Sequence, residues 1–457
     1  MKIRSILFAI LVTLSVSSNC MAVPDFAAQR VSFSRIYKVV RNKKYESIYN
    51  SDFIFMLYPY STNDKCVIND IAQACVNYTT VDTNVTIDVC QDFVKDIIGV
   101  KQELPKTIEV AKQTEKPKPK VIEKPKASNV SITTTPNTTE FTFNIYATGK
   151  YTVLCGDNKA ATVNTADGTY TCKYDRPGVY TVTISGTTTA YSSNAEMTPA
   201  ISFKDNKNVA SVNGSFGAVF PVLSNGSVPI FYETFSGCTN LTSISADLFS
   251  GINSAPVKNM FLWTFYNCSS LTSIPEGLFS SIKGAPAYDM FRSTFEGCSG
   301  LKSIPAGLFS GIKGAPAGAM FGGTFEDCSG LKSIPEGLFS GIKGAPSWGM
   351  FVSTFMNCSG LTSIPAGLFS GIKGAPAEFM FISTFEGCSS LTSIPAGLFS
   401  GIKGAKQDVI YNRTFAECPN LRGNISPSFF GNIRPEINRN DLEESETFFN
   451  SPNITLQ

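Results

Sequence analysis

Not one histidine occurs among the 457 residues. Its absence excludes Ser/His/Asp and Cys/His nucleophile pairs, HExxH zinc sites and zinc fingers with histidine ligands, since each needs an imidazole as base or ligand. Surplus charge is lacking as well, because 38 basic and 36 acidic residues leave a formal +2. Proteins that grip nucleic-acid phosphates usually carry a strong basic excess, so no nucleic-acid partner is expected. Past the N-terminus no apolar run is long enough to span a bilayer, so no integral membrane segment is expected in the mature chain. Carboxylate-pair chemistry stays open in principle, yet the expectation is a non-enzymatic protein with no cofactor and no metal.

What is present begins with "MKIRSILFAILVTLSVSSNCMAVPDF". Lys2 and Arg4 precede an apolar run over 6–16 and then small residues, the pattern of a secretory signal peptide over 1–22 with cleavage after Ala22. Lipidation of Cys20 is the weaker reading, because Ser17, Ser18 and Asn19 make a poor lipobox. Export to the cell surface or medium puts the cysteines where disulfides form.

Residues 23–104 read as a small α+β unit whose three cysteines, Cys66, Cys75 and Cys90, predict one disulfide and one free thiol with the pairing open. A Lys/Pro-rich and then Ser/Thr-rich stretch, 105–140, reads as an extended spacer. Over 141–190, "FTFNIYAT", "KYTVLCGD", "GTYTCKY" and "GVYTVTISG" alternate like short strands of a small β-sandwich. Cys155 and Cys172 fall in neighbouring predicted strands and are candidates for a disulfide. Residues 191–230 look like a degenerate cap, with Val209 and Val212 in place of Leu and Ile.

From Phe231 the chain repeats every thirty residues in the form F-x-x-T-F-x-x-C-S-x-L-x-S-I-P-x-G-L-F-S-G-I-K-G-A-P-x-x-x-M. Seven copies run over 231–440, the last decayed like a cap, and 441–457 reads as a tail. Met290, Thr294 and Cys298 are spaced by four, as are Phe291 and Phe295, which predicts one short helix per copy. "LKSIP", 301–305, predicts one short parallel strand. The expected fold is thus an α/β solenoid with one strand and one helix per repeat.

Each copy carries one cysteine: Cys238, Cys268, Cys298, Cys328, Cys358, Cys388 and Cys418. A straight file of parallel side chains suits neither a tetrahedral metal site nor neighbouring disulfides, so the thiols are expected to be buried core.

"TFEGCSGLKSIPAGLF" resembles the leucine-rich repeats of BspA-like bacterial surface proteins, with their F-x-x-C-x-x-L-x-x-I-P signature. The resemblance covers roughly 205–440, and "CGDN" at 155–158 sits where that family often has a "WGDG" turn. It implies a leucine-rich-repeat fold and an exported surface protein that adheres to host extracellular-matrix or cell-surface proteins.

The copies differ most around the Met-Phe pair, where Trp263, Tyr288, Arg292, Trp348 and Phe379 are the bulky members and candidate protein-binding anchors. A serine ladder, Ser273, Ser303, Ser333, Ser363 and Ser393, runs beside Glu276 and Glu336. A second ladder, Lys283, Lys313, Lys343, Lys373 and Lys403, offers a track for an anionic polymer. Neighbouring ammonium groups about 5 Å apart in water repel by under about 1 kcal/mol, which a polyanion would relieve. Two alternatives to adhesion remain: an envelope protein that binds wall polymer or copies of itself, and a polysaccharide enzyme using Glu276 and Glu336.

Overall fold

Strict alternation builds the first sheets: in Thr138–Ile145, Phe141, Phe143 and Ile145 are buried while Thr142 and Asn144 between them are not. The computed structural model describes residues 30–32, 61–62, 65–67, 129–157, 160–164, 168–192, 197–405, 410–425, 427–434 and 446–456. The chain divides into two units, Met1–Pro117 and Lys118–Gln457. In the first, β1 (Arg30–Ser32), β2 (Ser61–Thr62) and β3 (Lys65–Val67) form an antiparallel sheet in the order β1-β3-β2. The signal peptide, the Lys/Pro stretch and the pairing of Cys66, Cys75 and Cys90 lie outside the described residues.

The second unit opens with β4 (Val130–Thr134), β5 (Thr138–Ile145), β6 (Thr148–Leu154), β7 (Ala160–Asn164), β8 (Gly168–Gly178) and β9 (Thr181–Ala190). Then come β10 (Ile201–Ser202), β11 (Val209–Gly214) and β12 (Ser243–Ile244). They form a three-stranded sheet, β10-β5-β8, and a six-stranded one, β12-β11-β4-β9-β6-β7. Phe141, Phe143 and Tyr170 of the first share one core with Ile132, Tyr151 and Ile184 of the second. Two sequence boundaries are corrected here. The expected spacer ends before residue 130, since β4 and the start of β5 fall inside it. Nor do the sheets stop at 190, because β11 pairs in parallel with β12, which belongs to the first repeat. The Ser/Thr-rich letters read as linker because β-branched threonine serves strands and loops alike.

The helix expected in each repeat is absent. Among the described residues the only helical pieces are 3₁₀ turns at Phe216–Ala218 and Pro427–Phe430, and strands make up the rest of the regular structure. The α/β assignment is therefore wrong, and the hydrogen bonds show why. Alternate residues bond in alternate directions. Met290, Arg292, Thr294, Glu296 and Cys298 donate to the carbonyl three residues back, closing successive turns. Asp289, Phe291, Ser293, Phe295 and Gly297 donate instead to the next copy, at Gly318, Met320, Gly322, Thr324 and Glu326. Every fourth residue is left-handed, with φ of 52° at Asp289, 50° at Ser293 and 72° at Gly297. An α-helix cannot pass through such residues. The four-residue apolar spacing is thus a run of turns, each coil hydrogen-bonded to its neighbour.

The strand expected at "LKSIP" is also corrected. In the central copies it makes a single bond per coil, such as Lys332 N–H to Lys302 at 3.4 Å, because the proline in each copy removes a donor. The parallel ladder instead runs through I-K-G, with bridges Gly284–Ile312, Gly314–Ile342, Gly344–Ile372 and Gly374–Ile402. It ends in β13 (Lys403–Ala405) paired with β15 (Asn432–Arg434). A Cβ on Gly311, Gly341, Gly371 or Gly401 would come within 2.1–2.3 Å of a carbonyl oxygen of the preceding coil. The second copy has Ser281 there, and its Lys283 N–H bond lengthens to 3.3 Å against 2.7–2.8 Å in the other copies.

The expected tail contains another coil. "TFFNSPNI" places Thr447, Phe448 and Ser451 where other copies have Thr, Phe and Cys. Phe448 stacks on Phe415 at 5.7 Å, and β16 (Ile454–Leu456) pairs in parallel with β14 (Gly423–Ile425). At the other end, Ser202, Phe203 and Asn206 begin the series. The core is made of phenylalanine files: Phe235, Phe265, Phe295, Phe325, Phe355, Phe385 and Phe415 stack at 5.3–5.7 Å. No helix of the described residues is long and apolar enough to cross a membrane.

Candidate binding surfaces

The seven repeat cysteines are free and buried. Each Sγ–H donates to the carbonyl of the preceding coil's Phe, at 3.1 Å for Cys238 to Phe203 and 3.2 Å for Cys298 to Phe265 or Cys328 to Phe295. The threonine four residues earlier does the same, as in Thr294 to Phe261 at 2.9 Å. A carbonyl that already closes a turn thus takes a second bond from a side chain. Burial pushes every thiol up, Cys418 to about 12, so neither thiolate nucleophile nor thiolate ligand is available near neutral pH. At the ends of the file the slot is polar. Asn206 holds it at one end, and at the other Ser451 Oγ–H donates to Phe415 at 2.8 Å.

Cys155, just after β6, and Cys172, in β8, form a disulfide with Cα atoms 5.6 Å apart, joining the two sheets.

The five bulky candidates fall into two groups. In the first, two cation–ring pairs flank Asp289: the Arg292 guanidinium lies 5.8 Å from the Trp263 ring, and Lys258 Nζ lies 5.8 Å from the Tyr288 ring. Trp263 also meets Tyr232 edge-on at 5.8 Å. Trp348 and Phe379 pack on each other at 5.6 Å. Their burial differs from that of exposed anchors. Arg292 is 8% exposed, Trp348 9% and Phe379 2%, leaving Trp263 and Tyr288 half-buried. The cause is the next coil: a Cβ at Gly322 would sit 3.7 Å from Arg292 Cγ, so the arginine stem lies over a glycine.

Asp289 supports this group from beneath. It is 4% exposed and pairs with Arg292 Nη1 at 3.8 Å. Burial raises its carboxyl to about 6, and the attraction of Arg292 and Lys258 only partly offsets this. A carboxyl whose folded pKa lies above its unfolded value near 3.9 stabilises fully below that value, and the contribution fades as pH rises through about 6. Asp289→Asn is therefore expected to remove a stability loss on the order of 2–3 kcal/mol between about pH 4 and 7. Thermal unfolding of both proteins across that range checks it; parallel pH profiles would assign the titration elsewhere.

Sequence reasoning missed an acidic trio. Glu296, Glu326 and Asp327 bring one carboxylate oxygen each within 4.8 Å of one another, beside Gly323. The acidic residues of "TFEGC" and "TFEDC" were the available signal. Glu276 and Glu336, by contrast, are both exposed. Also exposed are the serine ladder, Ser273, Ser303, Ser333, Ser363 and Ser393, and all five lysines, Lys283, Lys313, Lys343, Lys373 and Lys403. Comparison with known protein families, with curated proteins and with solved structures returns no match for this chain.

Proposed function

We propose that this is an exported, surface-displayed binding protein that adheres to protein ligands of the extracellular matrix or of neighbouring cells. The observation that carries the reading is the Trp263–Tyr288 patch. Two partly buried aromatic side chains each stand beside a cation, Trp263 beside Arg292 and Tyr288 beside Lys258, while Asp289 pairs with Arg292 and Tyr232 meets Trp263 edge-on. Large aromatic and Arg side chains already ordered before binding lose little entropy on contact and are the usual centres of protein interfaces. Of the bulky variable positions, Trp263 and Tyr288 are the two that keep part of their surface open to a partner, since Arg292, Trp348 and Phe379 are buried. The resemblance to BspA-like repeats and the N-terminal secretion pattern support the same reading. Weak contacts on a rigid stack add when many copies are displayed on one surface.

The test is surface binding of the full chain to a panel of immobilised extracellular-matrix proteins. Binding that falls at least about tenfold in the Trp263→Ala, Tyr288→Ala double variant is the expected result. A well-folded protein that binds none of them counts against adhesion. Concentration-dependent self-association in its place would support the envelope-assembly alternative.

A further inference from the structure

Five lysines stand at one position of successive coils, and their backbones are held in register. Lys313, Lys343, Lys373 and Lys403 donate N–H bonds of 2.7–2.8 Å to Gly284, Gly314, Gly344 and Gly374 of the preceding coil. The same segments carry the parallel bridges, so neighbouring lysines are spaced like adjacent strands, about 4.8 Å apart. The row from Lys283 to Lys403 thus spans roughly 19 Å.

All five side chains are exposed, and none forms an ion pair with a described residue. Three positions before each lysine stands an exposed serine: Ser280, Ser310, Ser340, Ser370 and Ser400. The surface is therefore a straight track of uncompensated point charges edged with hydroxyl groups.

We propose that this track binds a linear anionic polysaccharide. Ammonium groups in a row attract a polymer with carboxylate or sulfate groups along its length, and the serine hydroxyls suit its sugar hydroxyls. A single-stranded nucleic acid fits less well, because base binding relies on exposed aromatic rings. The aromatic residue beside each serine, from Phe279 to Phe399, is buried in the core. The track shares no residue with the Trp263–Tyr288 patch, so the two readings are tested by different substitutions.

The experiment compares the full chain with its Lys313→Gln, Lys343→Gln, Lys373→Gln triple variant on immobilised heparin and on a polyuronate. The Lys/Pro stretch over 110–126 is common to both proteins, so their difference reports the row alone. Expected is at least about a thirtyfold loss of affinity at low salt, a shallower salt dependence, and retention in the matching triple Lys→Arg variant, with unchanged melting temperature. The Trp263→Ala, Tyr288→Ala protein should bind both polymers normally. Equal retention of wild type and Lys→Gln variant on both polymers overturns the proposal. So does a single-stranded oligonucleotide that binds more tightly than either polymer with the same dependence on these lysines.

Discussion

Phe325→Ala is expected to lower the stability of the coil stack by about 4 kcal/mol. Phe325 is fully buried and lies between Phe295 at 5.7 Å and Phe355 at 5.6 Å, with Phe309 tilted against it at 6.4 Å. Truncation loses the transfer free energy of a phenyl ring, leaves a cavity, and removes two stacked contacts worth about 0.5–1.5 kcal/mol each. Relaxation into the cavity is limited, since both walls are pinned. On one side the Phe325 carbonyl accepts the Cys358 thiol at 3.2 Å and its N–H donates to Thr354 at 2.9 Å; on the other the Cys328 thiol donates to the Phe295 carbonyl at 3.2 Å and the Phe295 N–H donates to Thr324 at 2.9 Å. In a stack where each coil touches only its neighbours, a weak central layer also divides the cooperative unit. Urea unfolding should show a lower midpoint and a broader transition. Phe448→Ala in the half-buried terminal coil is the comparison and should cost less than half as much. A loss under about 1 kcal/mol at Phe325 would falsify the stacked-file account of stability.

Arg413→Ala comes next, at about 3 kcal/mol, confined to the C-terminal coils. Its guanidinium joins three coils: Nε and Nη2 donate to Glu386 Oε1 at 3.0 and 2.7 Å, and Nη1 donates to Glu446 Oε2 at 2.9 Å. The same group lies 5.1 Å from the Phe449 ring. Burial by itself would lower the arginine pKa, but the hydrogen bonds and charges of Glu386 and Glu446 more than reverse that and raise it. Removal leaves the Glu386 carboxylate, 8% exposed, without its fork of donors. Arg413→Lys keeps the charge but not the fork and should recover less than half of the loss. Hydrogen exchange gives the readout. The amides of Phe415 and Glu417, which bond to Thr447 and Phe449, should lose protection while those of Phe295 and Gly297 keep theirs. Unchanged protection at Glu417 would show that Arg413 does not pin the last coil.

These side chains also mark where reading letters succeeds and where it stops. The thirty-residue unit, its phase and its apolar positions lie in the letters, because a recurring buried layer needs the same side-chain volume in every copy. One row of left-handed positions was written there too. The residue before the first six repeat cysteines runs Gly237, Asn267, Gly297, Asp327, Asn357 and Gly387, the residue types that tolerate positive φ, whereas Glu417 before Cys418 is left-handed without that signal. Helical spacing of Met290, Thr294 and Cys298 outweighed that signal. The final coil escaped because Ser451 replaces cysteine and its spacing from Cys418 is 33 residues in place of thirty.

The candidate sites divide along the same line. Variation between copies pointed to Trp263, Tyr288, Arg292, Trp348 and Phe379, but variation does not reveal exposure. Arg292 lies over Gly322 of the next coil, a contact between residues thirty apart. By itself the sequence determined the repeat, the inventory of each coil and the single thiol per copy, since these follow from composition and period. Only the tertiary structure decided that a four-residue period becomes turns and not helix, that the inter-coil ladder runs through I-K-G, and that a tail is a coil. In each case the deciding hydrogen bonds join residues about thirty positions apart, and no local pattern of letters specifies their geometry.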